Sequence, residues 1–188
     1  MYKFVTVFGL ILVTIALAAG ASAAQGPSSH TTLGSPQAQA AINPGRSITL
    51  GVRTQSSGCR VHNHLPDPQC TPGAVFSGAT KSMMCVRGYS SKVRNVTAAT
   101  KRLVYASYGI RNHHRGQYEV DHLVPLEGGG SNVVANLFPQ PASPTPGFHQ
   151  KDKLENEMRS RICYRHANIR ATQRSMARNW IGLYRSWF

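Results

Sequence analysis

Tyr118-Glu119-Val120-Asp121-His122-Leu123-Val124-Pro125-Leu126 is the stretch on which the fold turns. Tyr118 to Val124 is rich in β-branched and aromatic residues and reads as a strand. Residues 127–132 follow with Gly128-Gly129-Gly130 and must be a loop. Val133 to Phe138 reads as a second short strand, so the two make a hairpin across the glycines. Pro139, Pro141, Pro144 and Pro146 then interrupt regular structure. A helix is expected from about Phe148 to Arg165. Its Leu154, Met158 and Ile162 recur at i, i+4 and i+8 and define a buried face. The order strand, glycine loop, strand, helix frames one dipeptide, Asp121-His122. Neighbours on a strand face opposite ways, but a bend at the strand end brings both into one cleft. A carboxylate there suits a hard divalent cation. An imidazole kept off the metal can take a proton from water.

Outward from this centre the reading is simpler. Downstream, Asn168 is placed to cap a last helix with Ile169, Met176, Trp180, Tyr184 and Trp187 on one stripe. That stripe reads as core. Upstream, Thr97 is placed to cap a helix through Leu103, Val104 and Tyr108, with Gly109 to end it. Residues 59–78 are rich in turn formers (Pro66, Asp67, Pro68, Pro72, Gly73) and read as irregular. Residues 24–51 are rich in Ala, Ser, Gly, Gln and Pro without apolar period, and read as a disordered linker. Residues 1–23 pair a positive start at Lys3 with an apolar run from Phe4 to Ala19. Ala21-Ser22-Ala23 then supplies a small-x-small cleavage site. This is the pattern of a secretory signal peptide. The rival, an uncleaved anchor, needs about 20 apolar residues, and the run falls short. No internal repeat is present.

The 188-residue chain carries 21 Lys and Arg against 7 Asp and Glu, a formal charge of +14. Removal of a signal peptide would take only Lys3. So large an excess points to a polyanionic partner, nucleic acid or an anionic surface. Export places the four cysteines, Cys59, Cys70, Cys85 and Cys163, in an oxidising compartment. A Cys₄ zinc site normally shows Cys-x-x-Cys knuckles, and the sequence has none. Four disulfide-forming cysteines allow three full pairings, and spacing does not choose among them.

The run Asp121-His122-Leu123-Val124-Pro125-Leu126, the glycine loop with Ser131-Asn132, and Ala135-Asn136-Leu137 together resemble the HNH, or ββα-metal, nuclease motif. Further pieces resemble a bacterial group of small HNH-like proteins: Pro66-Asp67-Pro68 with Cys70 to Ala74, Cys85 to Ser90, and Lys151-Asp152-x-Leu154-Glu155 before Cys163. The likeness runs from about Leu65 to Trp187. It implies an α+β domain over 52–188, a ββα finger with flanking helices, stabilised by disulfides. It implies a secreted or periplasmic endonuclease that hydrolyses phosphodiester bonds of nucleic acid, DNA before RNA, with one divalent ion (Mg, Mn, Ni or Zn). His122 would be the general base and Asp121 a metal ligand. Asn136 would brace the loop and orient His122. His149, off the buried stripe at the first turn of the helix, is either the last metal ligand or an exposed polar residue. Asn156, two turns on, is its reserve. Lys151 and Asp152 fit the pattern without an assigned role. The expected pairing is Cys85–Cys163, tying the segment before the motif to the helix after it, and Cys59–Cys70. Exposed Arg and Lys would hold phosphates without sequence preference. Two other classes compete: a catalytically silent nucleic-acid-binding module, and a cationic surface-binding or antimicrobial protein.

Overall fold

In chain order the elements are β1 (Ser47–Thr49), β2 (Ala74–Phe76), α1 (Lys81–Met84), α2 (Tyr89–Val93), α3 (Ala98–Ser107), β3 (Tyr118–His122), β4 (Leu137–Pro141), α4 (Phe148–Tyr164) and α5 (Ile169–Trp187). They come from a computed structural model that describes residues 42–188. The expected signal peptide and most of the expected linker lie outside the described residues. Within the linker's last ten positions, Ser47–Thr49 form a strand, because β2 offers them an edge to pair with.

The chain is a mixed α+β structure with two small two-stranded antiparallel sheets. In the first, Ser47 faces Phe76 and Thr49 faces Ala74. In the second, Tyr118 faces Pro141 and His122 faces Leu137. The hairpin therefore forms, but its second strand starts later than expected. Residues 134–136 coil into a 3₁₀ turn instead, and the strand runs on through Pro139 and Pro141. Parity explains the tolerance. Leu123 N–H bonds the Asn136 carbonyl at 2.7 Å, which puts 119, 121 and 123 in the hydrogen-bonded pairs. Their partners are Gln140, Phe138 and Asn136. The prolines fall on the alternate positions, where β4 needs no N–H towards β3.

The glycine loop packs against β2. Phe76 N–H bonds Gly129 O at 2.9 Å, and Ser131 N–H bonds Ala74 O at 3.0 Å. Gly129 turns the chain at φ +83°, and a Cβ on Gly130 would lie 1.8 Å from the Val124 carbonyl oxygen. A side chain at 130 would thus collide with the backbone of the motif itself.

The core lies between the second sheet and the last two helices. Leu123, Val124, Leu126 and Phe138 meet Leu154, Met158 and Ile162 of α4 and Met176 and Trp180 of α5. A smaller cluster of Val104, Val120 and Leu137 seats α3 on the other side. Local signals set the helix starts. Thr97 Oγ1 accepts the Thr100 N–H and Asn168 Oδ1 accepts the Ala171 N–H. Inside α5, Asn179 leaves helical geometry (φ −163°, ψ 80°) and its Oδ1 caps the next turn at Gly182 N. Disulfides join Cys59 to Cys70 and Cys85 to Cys163, the expected pairing. No helix among the described residues is long and apolar enough to cross a membrane.

Candidate active site

Asp121 and His122 end β3, and both are buried, at 7% and 1% exposure. Asp121 is covered from α4 and His122 from the loop that carries Asn132, so consecutive side chains both find cover. They find different partners. Asp121 Oδ1 accepts the His122 backbone N–H at 2.7 Å. Its Oδ2 accepts from Lys151 Nζ of α4 at 2.7 Å. The His122 ring turns to the loop, with Nε2 at 3.1 Å from Asn132 Oδ1.

Asn132 decides which ring nitrogen carries the hydrogen. Its Nδ2 donates to the Val93 carbonyl at 2.8 Å, and its Oδ1 accepts from Asn95 N–H at 3.1 Å. With the amide fixed from both ends, the oxygen faces His122, so Nε2 carries the hydrogen. Nδ1 keeps the lone pair. It is buried and has no hydrogen-bond partner. Burial holds the imidazole pKa down to about 4, against the opposing pull of Asp121 and Asn132. At neutral pH the ring is an uncharged base. Two positive charges act on both His122 and Glu119, the buried Lys151 and the exposed Arg94.

The Asn136 side chain makes its hydrogen bonds away from His122. Its Oδ1 accepts from Ala74 N and Val124 N, and its Nδ2 donates to Val124 O and Ser131 O, all at 2.9–3.1 Å. It stitches β2, the end of the motif and the loop together from a fully buried position. The orienting bond expected from Asn136 comes from Asn132 instead, whose place in a Ser-Asn loop gave no hint of it.

Lys151 is the residue that sequence reasoning left without a role. It is fully buried. Its ammonium meets three acceptors: Asp121 Oδ2 at 2.7 Å, the His122 carbonyl at 2.7 Å, and Glu155 Oε1 one turn further on. Burial works against the charge, but the carboxylates of Asp121 and Glu155 outweigh it and raise the lysine pKa above its ordinary range. Burial pushes the Glu155 carboxyl up, opposed by Lys151. The signal was present in the helix. Position 151 lies three before Leu154, on the same apolar stripe, and a charge there demands a buried partner.

His149 stands elsewhere. Its side chain is 74% exposed, rests edge-on against Phe148, and has Nδ1 4.0 Å from Asp152. No contact joins it to Asp121 or His122. Asn156 is exposed as well. It lines a cleft of about 230 Å³ with Arg87, Tyr89, Glu127 and Arg159.

The donors around Lys151 Nζ, two carboxylates and a carbonyl, are the kind a hard cation takes. The lysine already fills that point. Among the described residues, no group of three or more His, Cys, Asp or Glu is placed to hold a metal ion. With Lys151 in position, the residues present do not fit the divalent ion that the resemblance implies. Comparison with family models, curated proteins and solved structures finds no match.

Proposed function

We propose that this chain is an exported endonuclease with an HNH-like ββα centre. It hydrolyses phosphodiester bonds of nucleic acid, DNA before RNA, with His122 as general base. The observation that carries the reading is the His122 imidazole, held neutral by burial and fixed by Asn132 with its Nδ1 lone pair free. In the reaction Nδ1 takes a proton from water as its oxygen bonds to phosphorus. The bond from phosphorus to the leaving ester oxygen breaks, and that oxygen is protonated from solvent. Because the ring is 1% exposed, substrate binding must uncover it. Arg94, Arg111 and Arg115 are exposed ahead of β3 in the chain and supply phosphate contacts whose strength falls with salt. The two disulfides fit an oxidising compartment outside the cytosol.

A second reading rests on the same burial. With Nδ1 covered and Asp121 paired to Lys151, the centre also suits a nucleic-acid-binding module that uses these residues only for structure. Plasmid cleavage decides between them, run near pH 7.5 with Mg²⁺, Mn²⁺ or Ni²⁺ and, separately, with EDTA. A nuclease cuts in at least one condition, and His122→Ala lowers the rate by about 10²–10⁴ while leaving binding intact. Binding without cutting in every condition makes the silent module correct. Neither binding nor cutting leaves a cationic surface protein.

A further inference from the structure

Five of the chain's seven acidic residues, Glu119, Asp121, Glu127, Asp152 and Glu155, lie close enough to act on one another electrostatically at this centre. In a chain with three times as many Lys and Arg, that gathering requires a cation inside it. Lys151 is that cation. An ammonium has three hydrogens, and the three acceptors around Nζ use all of them. The side chain has no exposed surface, so nothing from solvent completes the arrangement. A Mg²⁺ ion differs in needing six ligands near 2.1 Å and in keeping several waters. The space around Nζ offers it neither.

We propose that the Lys151 ammonium is the resident cation of this centre. It takes the place a divalent ion would occupy between Asp121, Glu155 and the His122 carbonyl, so the centre works without metal and gains a divalent site only when the lysine is removed. Lys151 is then a positioning residue. It grips the His122 carbonyl while Asp121, which it also grips, holds the His122 N–H. The backbone that carries the base is thereby clamped on both sides of the His122 Cα, through the two peptide units that flank it. The catalytic part of this inference rests on the nuclease reading above. The occupancy of the site does not.

Two measurements on the full folded chain test it. The first is Mn²⁺ binding by calorimetry and by thermal melting against EDTA. Wild type should show no binding at this centre and a Tm that Mn²⁺ leaves within about 1 °C. Lys151→Ala should bind one equivalent, with Tm rising by about 5 °C or more at a hundredfold excess over Kd, and Asp121→Asn added to it should remove the effect. If Lys151→Ala does not fold, Lys151→Met keeps the stem and is read in the same way. The second is cleavage by wild type after EDTA treatment, which should stay within about threefold of the rate with Mn²⁺. Wild type that binds one Mn²⁺ with micromolar affinity through Asp121 overturns the proposal, as does wild type that cuts with Mn²⁺ and not in EDTA. Wild type that never cuts defeats the nuclease reading alone, and the binding data then decide the occupancy of the site.

Discussion

The first turns of α4 carry two sets of polar residues that face opposite ways. Lys151 and Glu155 point inward and share the buried centre with Asp121, while His149 and Asp152 stand outside at 74% and 59% side-chain exposure. Both sets contain a basic and an acidic partner within one turn. What separates them is water. Outside, a His–Asp contact at 4.0 Å contributes at most a few tenths of a kcal/mol, because solvent screens it and two side chains must be ordered to form it. Inside, charges are costly to bury and still more costly to leave alone. A residue's importance on this helix therefore follows from the face it occupies, and chemical type alone does not reveal it.

The sharpest way to break that comparison is Lys151→Ala. It strands two carboxylates and a carbonyl, and we expect a loss of about 3–5 kcal/mol in EDTA, measured by urea unfolding. A loss below about 1 kcal/mol would mean that the inner face is no more sensitive than the outer one. Next in size is acid. The His122 pKa is about 4 in the fold and about 6.5 in the unfolded chain. Above pH 6.5 both states are neutral and nothing changes. As pH falls from 6.5 towards 4 the unfolded chain takes up a proton that the fold refuses, so stability drops, by about 3 kcal/mol once pH is below 4. The slope between pH 6.5 and 5 should be shallower in His122→Gln than in wild type. Equal slopes would show that the ring is not desolvated.

Asn132→Ala should act more mildly on stability, about 1–3 kcal/mol for the groups it leaves unpaired. Its characteristic effect is on the ring. Nitrogen-15 NMR of His122 should show protonated Nε2 in wild type and a mixture of tautomers in the variant. A single unchanged tautomer would remove Asn132 from its orienting role. The smallest effect belongs to the outer face. His149→Ala should change stability by no more than about 0.5 kcal/mol and leave any cleavage unaltered. A large loss of cleavage would return His149 to the reacting centre.

Much of the architecture could be read along the chain because its causes are local. Thr97 and Asn168 cap the helices they precede, and the period of Leu154, Met158 and Ile162 marks the buried face of α4. The centre was legible only in its first member. Asp121 and His122 lie side by side in a recognisable run, but Lys151 meets them across 30 and 29 positions, and Asn132 is fixed by Val93 and Asn95, nearly 40 positions back. Contacts at such range leave no period. The shift of β4 had a different cause. Prolines normally end a strand, and only the register with β3 shows that Pro139 and Pro141 fall where no N–H is needed. The break at Asn179 was missed because a side chain that caps its own helix competes with the backbone without altering the apolar stripe.

The Cys85–Cys163 bond spans 78 positions, and Asp121, His122, Asn132, Asn136, Lys151 and Glu155 all lie inside the ring it closes. A protease that cuts once anywhere between those cysteines opens the ring without releasing either piece. The nicked chain still runs as one band on a non-reducing gel and separates into two only when thiol is added. The halves stay tethered at high local concentration, so they can hold or regain their packing after a cut that would disperse an unlinked chain. Wherever a protease reaches the chain, this turns a single cleavage from destruction into damage that the fold can survive.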